Sequence, residues 1–496
     1  MSSSVAAEHD ATQPQAEFVR ALSLTDATML VAGSMIGSGI FIVSADIGRQ
    51  MDGWGPGGLM LVWVITGLMT LAGALSYAEL AGMMPKAGGQ YVFLREGIAP
   101  WAGFLYGWTL FNVIQAGTIA AVAVAFARYL GVFFPSLTDQ LFLNLGTVNL
   151  PAALHQAPIA LGLSPQRLAG IASVVFLTWV NVRGVKQGAG LQTFLTVIKT
   201  VALIGLIFLG LTIYRRADVA AMNFSNFWGT TPWTAAVLVA AGAAMVGSLF
   251  SSDAWNNVTF AAAEVRDPTK NLPRALAMGT GLVTVLYLLA NVAYLNLLPF
   301  QGDPNGADAL ARGIQHATQD RIGAAAAEVM LGGGGALVMA GLIVISTFGC
   351  NAGLILAGPR LTWAMAQDGL FFKKAGELHP KYRTPAAGLW AQALWTSALC
   401  LSGTYNQLLD FVIIAALIFY FLTMVALFRL RRIRADLPRP VKAFGYPVVP
   451  GLYMVALLGV MLVLLWAKPL TAGAGLAIVL LGVPVYLWWS KRAAAA

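Results

Sequence analysis

Charge is scarce in this chain. Only 10% of its 496 residues are Asp, Glu, Lys or Arg, while 58% are hydrophobic. A soluble globular domain carries about 25% charged residues, so an ordinary water-facing surface is excluded. Cysteine is nearly missing: Cys350 and Cys400 both fall in apolar runs, which leaves no disulfide framework. The four histidines, His9, His155, His316 and His379, are not spaced as metal ligands. No glycine-rich loop runs into a lysine of the kind that cradles nucleotide phosphates. The glycines of residues 33–39 are not a dinucleotide fingerprint either, since no strand–helix–strand unit surrounds them. These gaps argue against a metalloenzyme, a nucleotide-driven pump and enzymes generally. No cofactor and no metal are expected.

What the chain does have is apolar runs close to the ~20 residues that cross a bilayer. They occupy 24–48, 57–84, 101–134, 168–182, 192–214, 233–263, 275–298, 328–358, 385–403, 408–428, 449–466 and 471–489. The runs are continuous, which excludes the short alternating segments of a β-barrel. The reading is an all-α polytopic membrane protein of about twelve spans.

The net charge of +9 would suggest nucleic acid in a soluble protein. Here its distribution explains it instead. Lys86, Arg95, Arg183, Lys186, Arg266, Lys270, Arg274, Arg360, Lys373 and Lys374 fall on one side of the predicted topology, as do the cluster at 429–442 and the tail Lys491–Arg492. The other side holds scattered charges such as Arg49, Arg215, Arg216, Arg312 and Lys468. By the positive-inside rule both termini are cytoplasmic in a plasma membrane; attraction of the same residues to anionic lipid headgroups is compatible with this. Residues 1–18 are polar with Glu8, Asp10 and Glu17, which reads as a disordered tail (1–20) and not as a cleavable leader. The stretch 135–166 reads as a long, mostly uncharged loop, 300–327 as an outer loop with short helices, and 332–335 as a weak helix start and hinge.

Two of the runs are interrupted. In the first, Gly33, Gly37 and Gly39 with Ser34 and Ser38 form a poor helix, since each glycine costs about 1 kcal/mol relative to alanine. In the sixth, Gly247, Ser248, Ser251, Ser252, Asp253, Asn256 and Asn257 break an otherwise apolar stretch. Backbone left unpaired at membrane depth is tolerated only where it lines a cavity. Gly33 and Gly37 alone could equally serve close helix packing; the second interruption, five spans on, favours the break. Interrupted spans at equivalent positions of two five-helix units point to an inverted repeat. The expected units are 21–216 (helices 1–5) and 217–430 (helices 6–10), with 431–496 appended as helices 11–12. Amides at Gly37–Gly39 suit a carboxylate at a helix N-terminus, and carbonyls ending the first half-helices suit an ammonium. An amino acid carries both groups.

Residues 33–41, Ser76-Tyr77-Ala78-Glu79-Leu80 and 85–91 resemble the amino acid–polyamine–organocation superfamily, most closely its L-type amino acid transporter branch. Phe250–Asn256, Glu264, Asp267-Pro268, Asn271-Leu272-Pro273, Lys199 and 482–486 extend the resemblance through nearly all spans. It implies ten helices in a five-plus-five repeat plus two more, and transport of amino acids by alternating access, as exchanger or proton-coupled symporter. It implies that Ile36, Gly37, Ser38 and Gly39 hold the substrate carboxylate, that carbonyls near Ile36 and Phe250 take its amino group, and that Phe250 is an aromatic lid. Asp253 stands where the large-neutral-amino-acid carriers are glycine-rich, which argues against a large apolar substrate and suggests a cationic amino acid or polyamine as alternative cargo. The stretch 135–166 holds no cysteine, so a disulfide-linked heavy-chain partner is not expected. The partners expected are an amino acid substrate and the lipid bilayer, with no nucleic acid.

Individual residues have competing readings. Lys199 is a coupling residue bridging helices one and eight, where related folds hold sodium, or a lysine snorkelling to the membrane surface. Asp253 caps a half-helix, binds a proton or contacts substrate. Ser251 belongs with it at the break. Trp255 floors the pocket or simply packs. Glu264 forms a gate network with Arg266 and Asp267, or is a solvated loop residue. Gln115 and Asn351 line the site or join helices. A non-transporting amino acid sensor is the alternative from another class.

Overall fold

The computed structural model describes residues 18–148, 159–402 and 405–495; positions 1–17 of the expected tail lie outside them. The first helix starts at a reciprocal cap. The Asp26 amide donates to the Ser23 hydroxyl at 3.2 Å, and the Ser23 amide donates to the Asp26 carboxylate at 3.0 Å. Two orphan donors of the first turn are thereby satisfied.

From that cap, α1 (Leu24–Met35) runs to a break and α2 (Val43–Gln50) resumes beyond it. There follow α3 (Gly55–Met83), α4 (Gln90–Gly97) and α5 (Pro100–Thr109), which passes through a π turn at Leu110–Ile114 into α6 (Gln115–Leu130). The stretch expected as a bare loop pairs as an antiparallel hairpin, β1 (Leu143–Val148) with β2 (Ile159–Leu163). A bulge between Asn144 and Gly146 shifts the register and leaves Leu145 without a cross-strand partner. Helices α7 (Pro165–Val182), α8 (Val185–Leu211) and α9 (Ala217–Ser225) lead to the second interrupted span, α10 (Ala236–Ser251) and α11 (Asn257–Phe260).

The rest comprises α12 (Pro268–Leu297), α13 (Ala309–Arg312), α14 (Ile322–Leu331), α15 (Gly335–Gln367), α16 (Ala386–Cys400), α17 (Tyr405–Ile433), α18 (Val448–Ala467) and α19 (Pro469–Ala495). The glycines at 332–334 form a 3-10 turn before α15. Their placement shifts the eighth span from the expected 328–358 to Gly335–Gln367, because Pro359 and Arg360 sit inside the helix.

Among the described residues, eight helical stretches are long and apolar enough to cross a bilayer. The four other expected spans are the two interrupted ones, the 18-residue α7 and the 15-residue α16. Large apolar side chains such as Leu68, Phe194, Val201, Leu238 and Leu394 are exposed around the outside, as a lipid-facing surface requires. The protein is an all-α polytopic membrane protein. At its centre α1 packs against α8, α12 and α15, with α3 against the far side of α12.

Candidate functional site

Helix α1 cannot continue past Ile36, whose backbone is extended at φ −74°, ψ 94°. Among the described residues, the amides of Gly37 and Gly39 have no backbone acceptor. In the second span the chain leaves the helix after Ser251, and Ala254 takes φ +65°, a conformation L-residues avoid.

The two breaks meet. The Tyr287 hydroxyl from α12 lies 3.1 Å from both the Met35 and the Ser251 carbonyl oxygens. Gly39 approaches so closely that a Cβ there would stand 2.0 Å from Ser251 Oγ and 3.1 Å from Ser251 Cα. Only glycine fits.

Lys199 is buried at 2% exposure and does not reach for the membrane surface. Its ammonium donates to the carbonyls of Gly33 and Ile36 at 2.6 Å each and to Ser346 of α15 at 3.3 Å. The Ser346 hydroxyl donates to the Gly37 carbonyl at 2.9 Å. Lys199 thus joins the broken end of α1 to α15. The Ile36 carbonyl, in the region expected to accept a substrate ammonium, already accepts from Lys199 at 2.6 Å and from the Ser346 hydroxyl at 3.2 Å. The Ser34 carbonyl likewise accepts from Cys350 at 3.1 Å. The Gly37 backbone lies against that same thiol, 3.5 Å from its Cβ position to Sγ.

Asp253 is not a cap. Helix α11 is preceded by Asn256 with no side-chain cap bond, and the Asp253 carboxylate instead accepts a hydrogen bond from Tyr420 of α17. Two cavities of about 20 Å³ share this pair as a wall. One, toward α6 and α15, is lined by Gln90, Tyr106, Gln115 and Asn256. The other, toward α3 and α18, is lined by Thr70, Ser252, Trp255 and Tyr453. Each holds about one water. Trp255 is buried against Tyr77 edge-on at 4.7 Å and stacked on Tyr420 at 5.4 Å, so it both packs and walls the cavity. Gln115 lines a cavity and also donates to the Leu354 carbonyl at 2.7 Å; Asn351 donates to Ile119 at 3.2 Å. Ser38 is buried at the first break, Ser251 donates to Gly247 at 2.8 Å, and the half-buried Phe250 packs on the core.

Glu264 does not pair with Arg266 or Asp267. Its carboxylate takes Arg360 of α15 at 2.9 and 3.1 Å, both groups fully buried. Leu22 hydrogen-bonds across the same junction, its amide to the Glu264 carbonyl and its carbonyl from the Arg266 amide, each at 2.9 Å. Nearby, Asp368 receives Arg95 and, at 2.5 Å, the Tyr91 hydroxyl. Burial and that carboxylate push the Tyr91 phenol well above its ordinary pKa. At the opposite end Arg49 binds Asp320 at 2.6 Å, which raises the Arg49 pKa.

Sequence reasoning missed Tyr287, Ser346, Tyr420 and the burial of Arg360. Only Arg360 left a signal, as a lone charge inside an apolar run.

A helical bundle with two interrupted spans joined at its centre has the architecture of secondary membrane transporters. This chain belongs to the amino acid permease family, whose family model matches residues 22–486. It is 30% identical to the mouse large neutral amino acids transporter small subunit 2, over 95% of this chain and 82% of that protein. It is 31% identical to the serine/threonine exchanger SteT of Bacillus subtilis, over 95% and 97% respectively. The mouse b(0,+)-type amino acid transporter 1 is 28% identical over 85% of this chain and 78% of that protein.

Proposed function

We propose that this protein is a secondary transporter that moves amino acids across the plasma membrane by alternating access, as an exchanger or a proton-coupled symporter. The observation that carries the reading is the junction at Tyr287, where the two breaks meet beside the amides of Gly37 and Gly39. Those amides offer a carboxylate the positive end of a half-helix. The substrate amino group then has to use acceptors other than Ile36, such as those around Phe250–Asp253. Exchange is favoured by the likeness to a serine/threonine exchanger over nearly its whole length.

The same reading takes twelve spans in a five-plus-five inverted repeat, with units at 21–216, 217–430 and 431–496 and both termini cytoplasmic. In it Lys199 is the coupling residue, Phe250 the lid and Glu264 a gate residue through Arg360. A disulfide-linked partner is not part of it, because 135–166 lacks cysteine.

A second reading, a carrier of cationic amino acids or polyamines, is favoured by one observation: among the described residues Asp253 pairs with no cation. Uptake of labelled serine, leucine and arginine into proteoliposomes, with and without internal amino acid or a pH gradient, tests both readings. Uptake that requires internal amino acid supports exchange, and uptake driven by the pH gradient supports symport. Binding without uptake of any of them would leave a sensor.

A further inference from the structure

The face that the charge distribution puts outside is closed over the first break. Arg49 of α2 donates to the Gln315 carbonyl at 2.6 Å and binds Asp320, and the Gln315 amide group donates to the Gly48 carbonyl at 3.1 Å. Helix α14 starts two residues after Asp320. It packs straight onto the break, since a Cβ on Gly323 would lie 3.0 Å from the Phe41 ring.

Arg321 sits between that closure and α14. Its guanidinium lies over the ring of Tyr129 at 5.1 Å, and Tyr129 is buried near the end of α6. Tyr294, whose hydroxyl donates to the Ile40 carbonyl at 3.4 Å, lies close enough to Tyr129 for the two phenols to interact electrostatically. Arg321, Tyr129 and Tyr294 thus lead from the outer surface to the residue beside Gly39. Arg128, exposed in the last turn of α6, stands near Arg321. Burial first, and then the charge of Arg128, lower the Arg321 pKa.

This pair of like charges has no counter-charge. Among the described residues, neither guanidinium pairs with a carboxylate or donates a hydrogen bond. Other arginines of the same face are matched: Arg49 by Asp320, Arg167 by Asp139 and Arg216 by Asp218. Glu328 is the next acid along α14, and seven residues of helix put it about 10 Å further on. The start of α14 adds the positive end of its dipole at the same place. A surface of one sign concentrates ligands of the other, and arginine is suited to gripping a carboxylate.

We propose that Arg321 and Arg128 form a capture site for the substrate carboxylate on the outer face. It is separate from the amides of Gly37 and Gly39 and fills before the closure at Arg49 and Asp320 opens. The proposal deepens the transporter reading and rests on it. A site that acts on arrival speeds association from one side of the membrane and leaves later steps alone. It is therefore read in KM, on the outer face only.

The experiment measures labelled serine uptake in intact cells for the outer face and in inverted vesicles for the inner one. Wild type is compared with Arg321→Gln, Arg128→Gln, the double variant and Arg321→Lys. The outer KM should rise about threefold in each Gln variant and about tenfold in the double variant. The maximal rate and the inner KM should stay within about twofold throughout, and Arg321→Lys, which keeps the charge, should match wild type. Potassium chloride screens exposed charges, so it should raise the wild-type outer KM toward that of the double variant and leave the double variant unmoved. Arg128 is exposed and packs on nothing, so Arg128→Gln carries the test should Arg321→Gln fail to fold. An outer KM unchanged in Arg128→Gln or the double variant, or one raised equally on both faces, would overturn the capture site and leave the transporter reading standing. So would a rise that appears in proteoliposomes only when phosphatidylglycerol is present, which would assign the pair to lipid phosphates. Failure of wild type to take up any amino acid would defeat the transporter reading and the capture site with it.

Discussion

Arg360 and Glu264 face each other through two parallel hydrogen bonds of 2.9 and 3.1 Å, with neither side chain touching solvent. The pair ties α15 to the segment after α11, where Leu22 also pairs its backbone. The ion pair and these backbone bonds together hold α15, the end of the second interrupted span and the entry of the first at one junction. Removing one partner of a buried ion pair leaves an uncompensated charge, at about 3–5 kcal/mol. Glu264→Gln and Arg360→Met should each lower the melting temperature in detergent sharply. The combined Glu264→Leu, Arg360→Met protein should recover part of that loss, because apolar replacement of both partners is tolerated far better than loss of one.

Lys199→Met should abolish transport while the protein still reaches the membrane. The substitution keeps the stem and removes an ammonium that three carbonyls share. Buried acceptors stripped of a donor cost about 1–3 kcal/mol each, so the end of α1 loses its bonds to α8 and keeps only those from Ser346 and Cys350 of α15. Uptake assays alongside surface quantification check this. Lys199→Arg should not rescue, since a planar fork does not fit a compact three-carbonyl cradle.

Asp253→Asn distinguishes the two cargo readings. If the carboxylate reads a cationic side chain, arginine uptake should fall at least tenfold relative to serine uptake. An unchanged ratio would remove that role. Tyr420→Phe, which takes away the carboxylate's hydrogen-bond donor, should change the profile in the same direction as Asp253→Asn if the two act together.

Gly39→Ala should eliminate binding at the first break. The new Cβ would come within 2.0 Å of Ser251 Oγ and 3.1 Å of Ser251 Cα, so the two breaks would have to separate. Gly459→Ala, where a Cβ meets nothing within 4 Å, should leave uptake unchanged.

The broken spans were legible because glycine and serine inside a lipid-length apolar run contradict the helix that the run demands. Lys199 was legible for a related reason, as an ionisable group at membrane depth. Tyr287 was not, because a tyrosine in an apolar helix carries no mark of which two carbonyls its hydroxyl will reach. Glu264 was found but given the wrong partners: sequence proximity pointed to Arg266 and Asp267, while the true partner came from a helix almost a hundred positions away. The hairpin at Leu143–Val148 and Ile159–Leu163 was hidden by its lack of charge and of a tight turn signal. Of the three readings of Asp253, the cap rests on its position in the break, yet its side chain turns to Tyr420 of α17, an element that the local pattern does not contain.

The central claim is that paired half-helix ends recognise the carboxylate and amino group of one zwitterion. Its most direct measurement is competition by serine, serine amide and N-acetylserine against labelled serine uptake in proteoliposomes. The account predicts that serine competes and that each derivative, lacking one charge, competes at least a hundredfold more weakly. Equal competition by either derivative would contradict it.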